Sequence, residues 1–135
     1  LPFGQAAQVG DLSIVVEKVR FDDGTEVSKG QQYISWKPDE GKVFLLIELL
    51  LKNTGTGDKT VSVSPIDFAV MGSANVVYGY TITGSSAINE PRGVMLPGGE
   101  LRGTILYSVQ KGETGLALQY QKFLEKTVYM DVMPR

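Results

Sequence analysis

Apolar and polar residues alternate with a period of two along most of this chain, and no segment holds an apolar stripe at helical spacing for long. Leu12, Ile14 and Val16 face one way in a first strand that follows the turn residues Gly10 and Asp11. Asp22, Asp23 and Gly24 close it with hairpin chemistry. A mixed stretch, Thr25 to Gly41, carries Tyr33, Trp36 and Pro38 and reads as a long excursion with room for one short strand. The strongest signal is Lys42 to Lys52. Val43, Leu45, Ile47, Leu49 and Leu51 make a continuous apolar face, and Phe44, Leu46, Glu48, Leu50 and Lys52 a half-apolar one. The second face predicts cover from a loop, the excursion or a partner. Helix is the rival for this segment, but Gly41 before it and Asn53-Thr54-Gly55 after it favour a strand.

Beyond that turn, Thr60 to Val63 predicts a short strand, and Ser64-Pro65 a single helical turn leading into Phe68 and Val70. Gly72 to Asn75 is a turn, Val76 to Thr81 a strand, and Ile82 to Met95 loop-like. Leu96-Pro97-Gly98-Gly99 is a turn, followed by a strand from Glu100 to Val109. Leu116, Leu118 and Tyr120, then Val128, Met130 and Val132, complete the alternation. About seven or eight short strands separated by turns predict an all-β sandwich or small barrel, in one domain over residues 1–135.

Composition fits an ordinary folded domain: of 135 residues, 42% are hydrophobic and 21% charged. A formal charge of −2 provides no basic field for a phosphate backbone, so nucleic acid is not expected as a partner. No apolar run approaches the roughly 20 residues of a membrane-spanning helix. The chain starts at Leu1 without methionine, and a signal peptide or anchor upstream is one candidate for what was removed. Cysteine and histidine are both absent, which removes disulfides, thiolate chemistry, the commonest general base and the commonest transition-metal ligand.

The run Glu40-Gly41-Lys42-Val43-Phe44-Leu45-Leu46-Ile47-Glu48-Leu49, ending in Lys52-Asn53-Thr54-Gly55, is followed by Ser64-Pro65-Ile66-Asp67-Phe68 and by Leu96-Pro97-Gly98-Gly99-Glu100-Leu101-Arg102-Gly103. In that order, from about Val9 to Val132, these resemble a family of secreted and lipid-anchored prokaryotic surface domains of unknown function. That family is related in fold to the mycobacterial secreted immunoprotective antigen. The resemblance implies an immunoglobulin-like antiparallel β-sandwich outside the cytoplasmic membrane, and it carries over no catalytic or binding residue. The chain departs from the pattern at Gly99, an added glycine, and at Met71 to Asn75, where the turn is rearranged.

Candidate chemistry is sparse. Ser28 with Lys29, and Ser108 with Lys111, sit in no motif that activates a hydroxyl. Asp39-Glu40, Asp22-Asp23 and Asp131 read as solvated turn or strand-end charges rather than a catalytic carboxylate pair. Calcium could draw on Asp22, Asp23 and Asp11, yet no aspartate-rich binding loop is present, and no metal or cofactor is expected. The turn at Leu96-Pro97-Gly98-Gly99 lacks the lysine-serine pair of a phosphate loop. The aromatic residues Tyr33, Trp36, Tyr78 and Tyr80 are the candidate ligand-binding positions, with packing as the simpler reading of each. The expected function is a non-catalytic extracytoplasmic module that binds a protein or cell-surface component. The alternatives are a carbohydrate-binding module using those rings and a structural spacer. The face around Phe44 and Leu46 is the expected place for an interface between subunits.

Overall fold

A computed structural model describes residues 2–31, 33, 35–73, 75–121 and 127–132. Among these residues, ten strands run in the order β1 (Ala7–Val9), β2 (Leu12–Asp22), β3 (Lys42–Asn53), β4 (Val61–Val63), β5 (Phe68–Met71), β6 (Val77–Tyr78), β7 (Gly93–Met95), β8 (Glu100–Gln110), β9 (Ala117–Tyr120) and β10 (Val128–Asp131). One 3₁₀ turn, Pro65–Asp67, precedes β5. β1, β2, β3 and β8 form one antiparallel sheet in that spatial order, and β10, β9, β5 and β6 a second; β4 and β7 pair as a short ribbon. The orders β2-β3-β8 and β10-β9-β5-β6 reproduce the A-B-E and G-F-C-C′ arrangement of an immunoglobulin-like β-sandwich.

The segment Lys42–Asn53 is a strand, paired along its length with β2 on one side and β8 on the other. Its face of Leu45, Ile47, Leu49 and Leu51 is fully buried between the sheets, together with Ile14, Ile105, Tyr107, Val70 and Leu118. Phe68 and Tyr120 meet there with ring centroids 5.1 Å apart and planes tilted by 57°. The strand count exceeds the seven or eight visible as alternation because β1 and β7 have three residues each, too short to show a period. The stretch Val76–Thr81 is a strand only at Val77–Tyr78. It then leaves β5 and lies along β8, where Thr81 N–H donates to the Leu106 carbonyl at 2.7 Å.

The other face of β3 is covered by the chain itself. Phe44, Leu46, Leu106 and Val27 form a second buried cluster, with Trp36 and Ile88 packed on it. The excursion and the 81–92 segment together make a cap on the outside of the first sheet. The expected interface at Phe44 and Leu46 is therefore corrected: both are buried, at 4% and 0% exposure.

Candidate functional site

The cap is held by polar side chains acting on backbone. The Asp22 carboxylate, at the end of β2, accepts N–H bonds from Gly24 (3.0 Å), Glu26 (3.0 Å) and Val27 (3.2 Å), which turns the chain back over the sheet. Arg20 receives that turn: its guanidinium donates to both oxygens of Glu26, at 2.9 and 2.7 Å from Nε, and also to Glu48 on β3. Bonding to Arg20 holds the Glu26 carboxyl below the ordinary glutamate range, against the opposing effect of partial burial, and Glu26 in turn raises Arg20. Ser28 Oγ accepts the Trp36 N–H at 2.7 Å and lies 3.2 Å from the Trp36 carbonyl. A Cβ at Gly24 would overlap that same carbonyl, so only glycine lets the two arms of the excursion close. The Ser85 hydroxyl donates to the Val27 carbonyl, and Gln31 to Ser86 at 2.8 Å, which ties the excursion to the 81–92 segment.

Within this frame the four candidate aromatics separate. Tyr33 stands 90% exposed in the excursion. Trp36 is half-buried against the outer cluster. Tyr78 and Tyr80 do share a face, and that face packs against the inter-sheet core. The Tyr78 hydroxyl lies 3.5 Å from Glu113 and 3.4 Å from the Gln110 N–H, while Tyr80 sits beside Arg92 and with Glu90 raises its pKa. Trp36 thus packs on one apolar cluster and Tyr78 and Tyr80 on the other, with the first sheet between them.

The polar candidates are likewise committed to structure. Asp22 serves three backbone amides, and Asp23 accepts the Thr25 hydroxyl at 2.6 Å and its N–H at 3.1 Å, which lowers its pKa. Asp39 and Glu40 line an open groove of about 300 Å³ together with Lys37, Lys42, Val43 and Lys111. Among the described residues no group of three or more acidic side chains is placed to hold a metal ion. No helix of the described residues is long and apolar enough to cross a membrane.

Two functional-looking features had no signal in the alternation. Asn53, 1% exposed at the end of β3, donates from Nδ2 to the Met95 (2.9 Å) and Lys59 (3.1 Å) carbonyls and accepts the Gly55 N–H at 2.8 Å. Its own backbone bonds Gly98 and Gly99, so two of the three segments that carry the family resemblance meet at one buried amide. The glycine added at position 99 supplies the carbonyl that accepts the Asn53 N–H at 3.0 Å. The rearranged turn at Gly72–Asn75 is pinned from outside by Glu113, which accepts the Ser73 N–H at 2.8 Å.

Solved structures share this architecture. The yjhA protein of Bacillus subtilis superposes with a TM-score of 0.73 at 19% identity, over 96% of this chain and 97% of that one. The ycdA protein of the same organism, which carries a provisional lipoprotein assignment, gives 0.71 at 15% identity over 94% of this chain; this chain spans only 38% of that protein. The secreted Mycobacterium tuberculosis protein MPT63 gives 0.65 at 12% identity, over 99% of this chain and 97% of that one. No functionally curated protein matches the sequence. Residues 1–129 match the profile of a family described as a domain of unknown function, DUF4352.

Proposed function

Since the chain belongs to the DUF4352 family of domains of unknown function, we propose that it acts outside the cytoplasmic membrane as a non-catalytic module that binds another protein. The observation that carries this reading is Tyr33. A large amphipathic ring stands 90% exposed on a cap that is bonded through Ser28, Gln31 and Ser85. Tyrosine offers contact area at low conformational cost, the property of residues that dominate protein interfaces. An extracytoplasmic setting is supported by the kind of proteins that share the fold, one secreted and one with a lipoprotein assignment. A non-catalytic role is supported by the lack of histidine and cysteine and by the structural engagement of Ser28, Asp22 and Asp23.

A photo-crosslinking residue at position 33, expressed in the native host, tests the reading. The expected result is one discrete adduct in the envelope fraction, with Tyr33→Ala weakening that partner by about tenfold or more. An adduct found only in the cytosol, or binding indifferent to Tyr33→Ala, would refute it. Carbohydrate binding by the four rings loses support from the separation of Trp36 from Tyr78 and Tyr80 into two apolar clusters; retention on a glycan array that depends on Tyr33 and Trp36 together would restore it. The second reading is a spacer in a longer surface protein, favoured by the 38% share of ycdA that the fold occupies. Absence of any adduct at position 33 in the envelope would favour the spacer.

A further inference from the structure

The two edges of the first sheet are finished differently. On β8, two backbone groups in the middle of the strand that point away from β3 are used: Thr104 N–H donates to the Asn89 carbonyl at 2.7 Å, and the Leu106 carbonyl accepts Thr81 N–H at 2.7 Å. On β2, β1 covers only Leu12, Ser13 and Ile14. Alternation across an antiparallel ladder then fixes which groups remain. Thr104 and Leu106 face outward, so their neighbours across the ladder, Glu48 and Leu46, turn their backbone groups to β2. There Lys18 and Arg20 receive them, and Asp22 likewise opposes Phe44. Val19 and Phe21 are left with N–H and C=O pointing off the sheet, and no backbone hydrogen bond reaches them among the described residues. The bulge at Glu17 bounds this open stretch above and the turn at Asp23 bounds it below. Phe21, in the middle of it, is 45% exposed, although a neighbour on the same face, Val19, is 9% exposed.

We propose that this edge pairs with the same edge of a second copy of the chain, about a two-fold axis at Arg20. The sequence Lys18-Val19-Arg20-Phe21-Asp22 is complementary to itself when reversed. Val19 then opposes Phe21 of the second copy and exchanges with it the outward N–H and C=O groups, twice by symmetry. Phe21 covers Val19 of the second copy on the apolar face. On the other face Lys18, which has no ion-pair partner among the described residues, opposes Asp22. Arg20 opposes Arg20, and each is neutralised by its own Glu26 and Glu48. No other centre does as well: an axis at Val19 sets Phe21 against the bulge at Glu17, and an axis at Phe21 sets Val19 against Asp23, outside the strand. The inference goes beyond the proposed function, since the pairing needs no other protein and leaves Tyr33 free. A pairing this short makes a weak dimer, with a dissociation constant on the order of 0.1 mM.

Sedimentation velocity across a wide concentration range, with hydrogen exchange read at single residues, tests it on the intact chain. The expected result is reversible dimerisation in which the Val19 and Phe21 amides gain protection as concentration rises. Phe21→Pro removes an N–H that β3 does not use and should abolish the dimer. Lys18→Glu, at an exposed position, converts attraction to repulsion at both symmetric pairs and should loosen it about tenfold. A monomer at every concentration, or a dimer insensitive to Lys18→Glu and unprotected at Val19 and Phe21, overturns the proposal. Should Phe21→Pro fail to fold, Lys18→Glu and the exchange pattern still decide it.

Discussion

Replacing Asn53 tests whether a single buried amide joins the top of β3 to the ribbon and to the turn before β8. Asn53→Ala removes donors to the Met95 and Lys59 carbonyls and the acceptor for the Gly55 N–H. The Lys59 and Gly55 groups are only partly buried and recover water, so each loss there is worth about 0.5–1 kcal/mol. The bond to Met95 is buried, and an unsatisfied carbonyl there costs about 1–3 kcal/mol. The expected total is about 2–5 kcal/mol, a large part of the roughly 5–15 kcal/mol that holds a domain together. Asn53→Asp keeps the shape and separates hydrogen bonding from packing. Its carboxylate faces two carbonyl oxygens, so the folded state holds the proton more tightly than the unfolded chain and the variant's pKa is raised. A raised carboxyl loses stability as pH climbs above the unfolded value of about 3.9, so Asn53→Asp should be less impaired at pH 3.5 than at pH 7. Urea unfolding followed by fluorescence of Trp36, the single tryptophan, measures both. Asn53→Ala within about 0.5 kcal/mol of wild type, or Asn53→Asp improving as pH rises, would refute the reasoning.

Three further substitutions probe other elements. Tyr107 is fully buried with a hydroxyl that has no hydrogen-bond partner among the described residues, and burial pushes its pKa up. Tyr107→Phe should therefore be neutral or stabilising by up to about 1 kcal/mol at pH 7; because the raised tyrosine loses stability as pH rises above about 10, the variant should also lose less at high pH, both read by thermal melts. A Cβ at Gly103 would lie 2.5 Å from the Pro91 nitrogen, so Gly103→Ala should cost about 2 kcal/mol or more in denaturant unfolding and expose the β8 amides to hydrogen exchange. Glu26 is held below its usual range by Arg20, so its contribution is present at neutral pH and lost as pH falls below about 4.3; Glu26→Gln should flatten the acid limb of a stability curve while leaving that limb's midpoint in high salt little changed.

The sandwich was legible wherever a strand is long and has two distinct faces. On β3 the alternation shows both the core face and, through Phe44 and Leu46, that something must lie over the outer one. What covers it was not legible. The cap is fixed by Asp22 bonding three amides, Ser28 bracketing Trp36 and Ser85 reaching Val27, contacts between side chain and backbone that leave no period. The aromatics illustrate the same limit. That Tyr78 and Tyr80 share a face follows from their spacing, but whether the face looks outward depends on β6 being the last strand of a sheet packed on a second one. Phe21 and Asn53 were passed over because one looks like another apolar strand residue and the other like turn punctuation. Only the ladder and the buried carbonyls reveal what each does.

The finish on β8 has a consequence for how copies of this domain can add to one another. Strand addition at both edges of a sheet would propagate without end, the geometry of a fibre. With Thr81, Asn89 and Pro91 laid along the middle of β8, the Thr104 N–H and the Leu106 carbonyl are already taken, so a chain that joins through β2 presents an obstructed edge on the far side of the sheet. Pro91 seated on Gly103 is in that sense a terminator: loosening it would turn a protein whose edge association is self-limiting into one able to polymerise.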